Sequence, residues 1–189
     1  MKNIAVFISG TGSNAARMLK EFRSHSQLTI SCIISTKKNK EMAELCTENG
    51  VQYIYTGWSE DEQKEIYSIL QKKKIDWIIL AGFLKLIPVE YVSGYEQRII
   101  NLHPALLPKF GGKGMYGMNV HKAVISAGEK KSGITIHYVN SQYDEGRIIK
   151  QFSVEIEASD DENSLFEKIR RLEVIHFVKV VEQELLKSD

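Results

Sequence analysis

Short apolar runs alternate along the chain with longer stretches in which apolar residues recur every three or four positions. Ile4 to Ile8, Ile30 to Ile34, Tyr53 to Tyr55, Trp77 to Ala81 and Arg98 to Leu102 are short and apolar, which predicts strands. Between them, Ala15 to Phe22, Lys40 to Asn49 and Asp61 to Lys73 carry helical spacing; Gly50 is placed to stop the second, and Ile66, Ile69 and Leu70 line one side of the third. Strands that are apolar throughout belong to a parallel sheet covered on both faces. From Ile134 the pattern changes: Ile134 to Val139 and Ile148 to Ile156 alternate, which predicts antiparallel or edge strands. Asp160 to Lys187 then reads as one long closing helix with Leu165, Ile169, Leu172, Ile175 and Val178 or Lys179 along its apolar stripe. The predicted fold is α/β: an open, doubly wound, mostly parallel sheet with helices on both faces and antiparallel strands in the C-terminal part. No repeat, low-complexity tract or linker interrupts residues 1–189, so a single domain is expected.

Composition narrows the partners more than the fold. Lys plus Arg is 25 and Asp plus Glu is 24, a net charge of +1, so no electrostatic argument points to nucleic acid or an anionic membrane. The first apolar run is too short to span a bilayer, and Cys32 and Cys46 stand far apart in no zinc-ligand pattern. Two buried thiols, a reducing compartment and hence a cytoplasmic location without a bound metal are the expectation.

Candidate chemistry begins at Ser9 to Asn14, SGTGSN, between the first strand and the first helix. Glycines there permit positive φ and close backbone approach, and the N–H groups at the helix start face an anion. Ser13 or Asn14 can cap the helix or bond a phosphate oxygen; a tight turn with an N-cap is the plainer reading. Gly10, Gly12 and Ala15 also fit a dinucleotide fingerprint, but the second strand ends in Ser35-Thr36-Lys37-Lys38 with no acid to hold a ribose. Further on, Arg98 to Leu102 delivers NLHPALLP, Asn101 to Pro108. Asn101 and His103 are two apart on an extended segment, so their side chains share a direction, and Pro104 disfavours helix at His103. An amide and an imidazolium both donate to a developing oxyanion. The alternative is a turn-forming Asn beside a satisfied His. Asp144, in the stretch His137 to Ile149, is either a turn residue or a carboxylate that pairs with His103 and raises its pKa above about 6.5.

These segments, with AGFLKLIP at Ala81 to Pro88 and NLHPALLPKF at Asn101 to Phe110, resemble the glycinamide ribonucleotide formyltransferase family over nearly the whole chain. The resemblance implies a Rossmann-like formyltransferase fold and transfer of a formyl group from 10-formyltetrahydrofolate, as co-substrate, to the amine of glycinamide ribonucleotide in purine synthesis. It implies a catalytic group of Asn101, His103 and Asp144, and places the substrate phosphate at Gly12, Ser13 and Asn14. Glu173 lies on the ribonucleotide, with Arg170 near the phosphate or paired with Glu173. The folate lies against Leu84, Lys85, Leu86 and Ile87, beside Asn101 and the loop from Val139 to Asp144. Small molecules are the expected partners of a monomer or weak homodimer. Two features depart from the family pattern. Phe110 to Lys122 is longer and richer in glycine than usual, which suggests a lid, and the Arg usual around Trp58 to Lys64 is missing, with Lys64 or Arg170 as substitutes. Competing readings are methionyl-tRNA formyltransferase, which carries a further tRNA-binding domain, formyltetrahydrofolate deformylase, a hydrolase, and a non-catalytic nucleotide-binding module.

Overall fold

The computed structural model describes residues 1–187. Five strands, β1 (Lys2–Ile8), β2 (Leu28–Ser35), β3 (Gln52–Tyr55), β4 (Trp77–Leu80) and β5 (Ile99–His103), pair in parallel, and β6 (Lys131–Tyr138) and β7 (Ile148–Glu155) add antiparallel at one edge. The sheet order is β3-β2-β1-β4-β5-β6-β7. Strand alternation divides the core in two: Ile4, Val6 and Ile8 of β1 enter one cluster, while Ala5 and Phe7 enter the other. Residues of α1 (Ser13–Phe22), α2 (Lys40–Glu48), α5 (Met118–Ser126) and α6 (Glu162–Leu185) cover the first face. Residues of α3 (Glu60–Lys72) and α4 (Val89–Gly94) cover the second. With both faces covered, β1 loses all contact with water from Ile4 to Ile8, which is why the run carries no alternation.

Helix starts follow local chemistry. Asn39 Oδ1 accepts the Met42 N–H at 2.9 Å to open α2, a Ser59–Glu62 capping box opens α3, and Asp161 with Ser164 does the same for α6. Two helices escape the pattern reading. Pro88 precedes the six-residue α4, and Gly117 opens α5 with no side-chain cap, so neither has a start signal. The segment taken as a loop from Phe110 to Lys122 therefore ends at Gly117, because Met118 onward is helical. On α6 the expected stripe holds for Leu165, Ile169 and Val178, but Ile175 is 51% exposed; Phe177, Val181 and Leu185 are buried instead. The helix packs against α5, α1, β6 and β7 along its length, and a change of neighbour turns the buried side away from a single stripe. Among the described residues no helix is long and apolar enough to cross a membrane.

Candidate active site

The sheet order reverses between β1 and β4, and the loops leaving β1, β4 and β5 meet at their carboxyl ends. The glycine turn leads into α1 through Gly12, with φ 75°. That backbone favours glycine, and a Cβ there would also press on the end of the Met42 side chain, 2.6 Å from Cε. Neither Ser13 nor Asn14 caps the helix, since Gly12 is itself the N-cap residue and no side chain bonds the first turn. The amide of Asn14, 7% exposed, instead donates to Glu173 Oε2 at 3.0 Å, across 159 residues of sequence. Burial raises the Glu173 pKa, with the Asn14 hydrogen bond and the Arg170 charge opposing it. Arg170 forms its ion pair with Glu167, at 3.9 Å, and not with Glu173. Lys64 faces Asp61 on the exposed side of α3, whereas the Arg170 charge reaches Glu173 beside the turn.

Asn101 and His103 do share a direction at the end of β5, and Asp144 comes back to them from the β6–β7 loop. His103 Nδ1 lies 3.5 Å from Asp144 Oδ2, and Asn101 Nδ2 lies 3.5 Å from Asp144 Oδ1. The loop is tight: Asp144 has φ 56°, its Oδ2 accepts the Gly112 N–H at 2.9 Å, and Gly146 sits against the Tyr138 carbonyl where no Cβ fits. A fourth residue completes the group. His137 is directly opposite Asn101 across the antiparallel β5–β6 pair, and its Nε2 lies 3.1 Å from Asn101 Nδ2. Its Nδ1 is 2.8 Å from the Tyr138 carbonyl, which can only accept. Nδ1 therefore carries a hydrogen; in the neutral ring Nε2 accepts from the amide, and in the charged ring it faces Asp144 Oδ1, 3.6 Å away. The signal was present in the sequence, a histidine two positions after Thr135 in an otherwise apolar strand, but only the strand register brings it to Asn101.

Asp144 does act to raise the His103 pKa, as expected, but the net direction is downward. His103 is 3% exposed, and its pKa is lowered: desolvation is the largest effect and the His137 charge adds to it, against the Asp144 charge and a hydrogen bond to Phe110. The second bond is 2.8 Å from His103 Nε2 to the Phe110 carbonyl, so Nε2 holds the hydrogen of the neutral ring and Nδ1 faces the carboxylate. Asp144 itself keeps a lowered pKa although burial works against it, because His137, His103 and the Gly112 N–H stabilise its charge.

On the loop leaving β4, the neighbour of β5, Leu84 and Leu86 are 44% and 48% exposed, whereas Ile87 is 5% exposed. A cleft of about 370 Å³ opens at Asp144 between Leu107, Pro108, Gly111, Tyr143 and Ile148. The turn that shapes it is held by Thr135, whose Oγ1 donates to the Ala105 carbonyl at 2.6 Å and accepts the Leu107 N–H at 3.0 Å. Exposed apolar side chains beside backbone polar groups suit a flat ring with a polar edge. Among the described residues no group of three or more His, Cys, Asp or Glu side chains is arranged to hold a metal ion.

Residues 2–181 match the formyl transferase family. The chain is 41% identical to the chloroplastic phosphoribosylglycinamide formyltransferase of Arabidopsis thaliana over 95% of its own length, but spans 64% of that protein, and 60% of the cowpea (Vigna unguiculata) counterpart. It superimposes on glycinamide ribonucleotide transformylase 1 of Geobacillus kaustophilus with a TM-score of 0.87 at 30% identity, covering 99% of this chain and 100% of that one. A formyltetrahydrofolate deformylase of Pseudomonas syringae shares the fold, with a TM-score of 0.82 at 20% identity, over 95% of this chain and 60% of that one. Matched by the family over residues 2–181 and 30% identical to a transformylase that it covers in full, the chain belongs to the phosphoribosylglycinamide formyltransferase family.

Proposed function

We propose that the chain transfers the formyl group of 10-formyltetrahydrofolate to the amine of glycinamide ribonucleotide. One observation carries the reading: Asn101, His103 and Asp144 converge within 3.5 Å contacts at the same sheet edge as a phosphate-type turn tied to Glu173. The acceptor's phosphate meets the N–H groups of Ser13 and Asn14 at the start of α1, and its ribose reaches Glu173. The donor's ring lies along Leu84, Lys85, Leu86 and Ile87, with the Val139 to Asp144 loop on its polar edge.

The chemistry follows from which hydrogens are loosely held. The Asn101 amide is bonded at 3.1 Å to His137 but only at 3.5 Å to Asp144, so its second hydrogen turns to the formyl oxygen as attack makes it an oxyanion. Burial favours the neutral His103 ring, and a proton gained at Nδ1 makes it an ion pair with Asp144 Oδ2, 3.5 Å away. The amine nitrogen forms a bond to the formyl carbon and the carbon–nitrogen bond of the donor breaks. The proton lost by the amine is held on the His103–Asp144 pair and passes to the leaving nitrogen, so the transfer balances.

The shared fold alone does not separate a transferase from the deformylase, because water and an amine attack the same carbonyl. The uncapped N–H groups where the glycine turn enters α1 favour a phosphorylated acceptor. The test is a mass and absorbance assay of the purified chain with donor, with and without glycinamide ribonucleotide. Formylated ribonucleotide is expected only when the acceptor is present; release of formate without acceptor, at the same rate, identifies a hydrolase, and binding without turnover identifies a nucleotide-binding module.

A further inference from the structure

Two internal hydrogen bonds hold the loop that leaves β4. The Leu84 N–H donates to Ser9 Oγ at 3.0 Å, and the Trp58 indole N–H donates to the Leu86 carbonyl at 3.1 Å. Both anchors are buried, Ser9 at 3% and Trp58 at 7% exposure. Ser9 sits where the carboxyl ends of three strands meet: its N–H donates to the Gly82 carbonyl at 3.0 Å, and its Oγ lies 2.6 Å from Thr36 Oγ1, the residue after β2. Trp58 holds a left-handed backbone, φ 69°, that a bulky aromatic residue rarely adopts. The conformation is kept by the Trp58 N–H bond to Thr56 Oγ1 and by Gln63 Nε2 donating to the Trp58 carbonyl, each 3.0 Å. Edge-on contacts with Phe83 and Phe7, at 5.0 and 5.8 Å between ring centres, fix the indole.

We propose that Ser9 and Trp58 are positioning residues for the donor site. By taking the Leu84 N–H and the Leu86 carbonyl inward, they turn the alternate residues, Lys85 and Ile87, so that their backbone groups face the polar edge of the donor ring. The inference rests on the reading of Leu84 to Ile87 as the donor wall. Neither side chain touches the reacting atoms, so their effect falls on donor affinity and leaves the chemical step alone.

Ser9→Ala and Trp58→Phe each remove one hydrogen-bonding group and keep most of the volume. Steady-state kinetics on the whole chain, with 10-formyltetrahydrofolate and glycinamide ribonucleotide varied in turn, separates the possibilities. A rise of about tenfold in KM for the donor is expected in each variant, the worth of one buried hydrogen bond, with kcat at saturating donor within twofold of wild type. Trp58→Phe, whose hydrogen bonds run to Thr56, Leu86 and Gln63 and not to the glycine turn, leaves the acceptor KM within twofold. A donor KM within twofold of wild type in both variants, whatever happens to the melting temperature, overturns the positioning role and leaves the activity standing. Wild-type protein that fails to bind the donor overturns both. Should Trp58→Phe not fold, Thr36→Val takes its place, because it removes the partner that orients the Ser9 hydroxyl; an unchanged donor KM there and in Ser9→Ala refutes the proposal.

Discussion

Replacing Asp144 by asparagine separates the charge of this side chain from its shape. Asparagine tolerates the left-handed backbone that Asp144 holds at φ 56°, and its amide oxygen can still accept the Gly112 N–H that now bonds Oδ2 at 2.9 Å. The fold therefore survives. What disappears is a negative charge 3.5 Å from His103 Nδ1, on a carboxylate whose side chain is 11% exposed. At an effective dielectric of about 20, the attraction lost to an imidazolium at that distance is about 5 kcal/mol. Not all of it reaches the barrier, because water enters the cleft and the ring moves, so a loss of about 10³-fold in kcat is expected. Single-turnover measurement of formyl transfer at saturating substrates gives the chemical rate directly, and calorimetric unfolding confirms that the melting temperature stays within a few degrees. A folded Asp144→Asn protein with turnover within tenfold of wild type removes the carboxylate from the proton relay.

The remaining predictions test other parts of the site. Asn101→Ala loses about 10²–10³-fold in kcat with the melting temperature nearly unchanged, as read by the same assay. Gly12→Ala, at φ 75° with a Cβ 2.6 Å from Met42 Cε, lowers stability by about 1–3 kcal/mol in urea unfolding and raises the acceptor KM; unchanged values for both exclude the backbone as the phosphate holder. The His103 pKa is lowered in the folded state, so its contribution to stability is present above about pH 6.5 and is lost as pH falls through the depressed value. The fall in melting temperature from pH 7 to pH 5 is accordingly shallower in His103→Gln than in wild type; parallel curves refute the sign. It is not abolished, since His121 and His176 are lowered by burial as well. Burial pushes the Cys32 thiol up to about 12 and the Cys46 thiol to about 11, so both resist iodoacetamide at pH 8 in the native protein and react once it is unfolded, as mass spectrometry reads out.

Periodicity and motif order determined the architecture, because burial on two faces leaves a continuous apolar run and burial on one leaves alternation; β1 and the edge strand β7 show the two cases. The same local logic put Asn101 and His103 on one side of a strand. It could not reach contacts set by register and by loops that return from afar. His137 joins Asn101 only through the pairing of β5 with β6, and Asn14 meets Glu173 across 159 residues. The protonation of His103 was misjudged for a related reason: a charge partner can be named from a motif, whereas the desolvation that outweighs it depends on how many other groups exclude water from the ring. Chain neighbours settle which elements form and which way their side chains point. Only the assembled sheet decides which polar groups lose water together, and that loss sets the chemistry available to them.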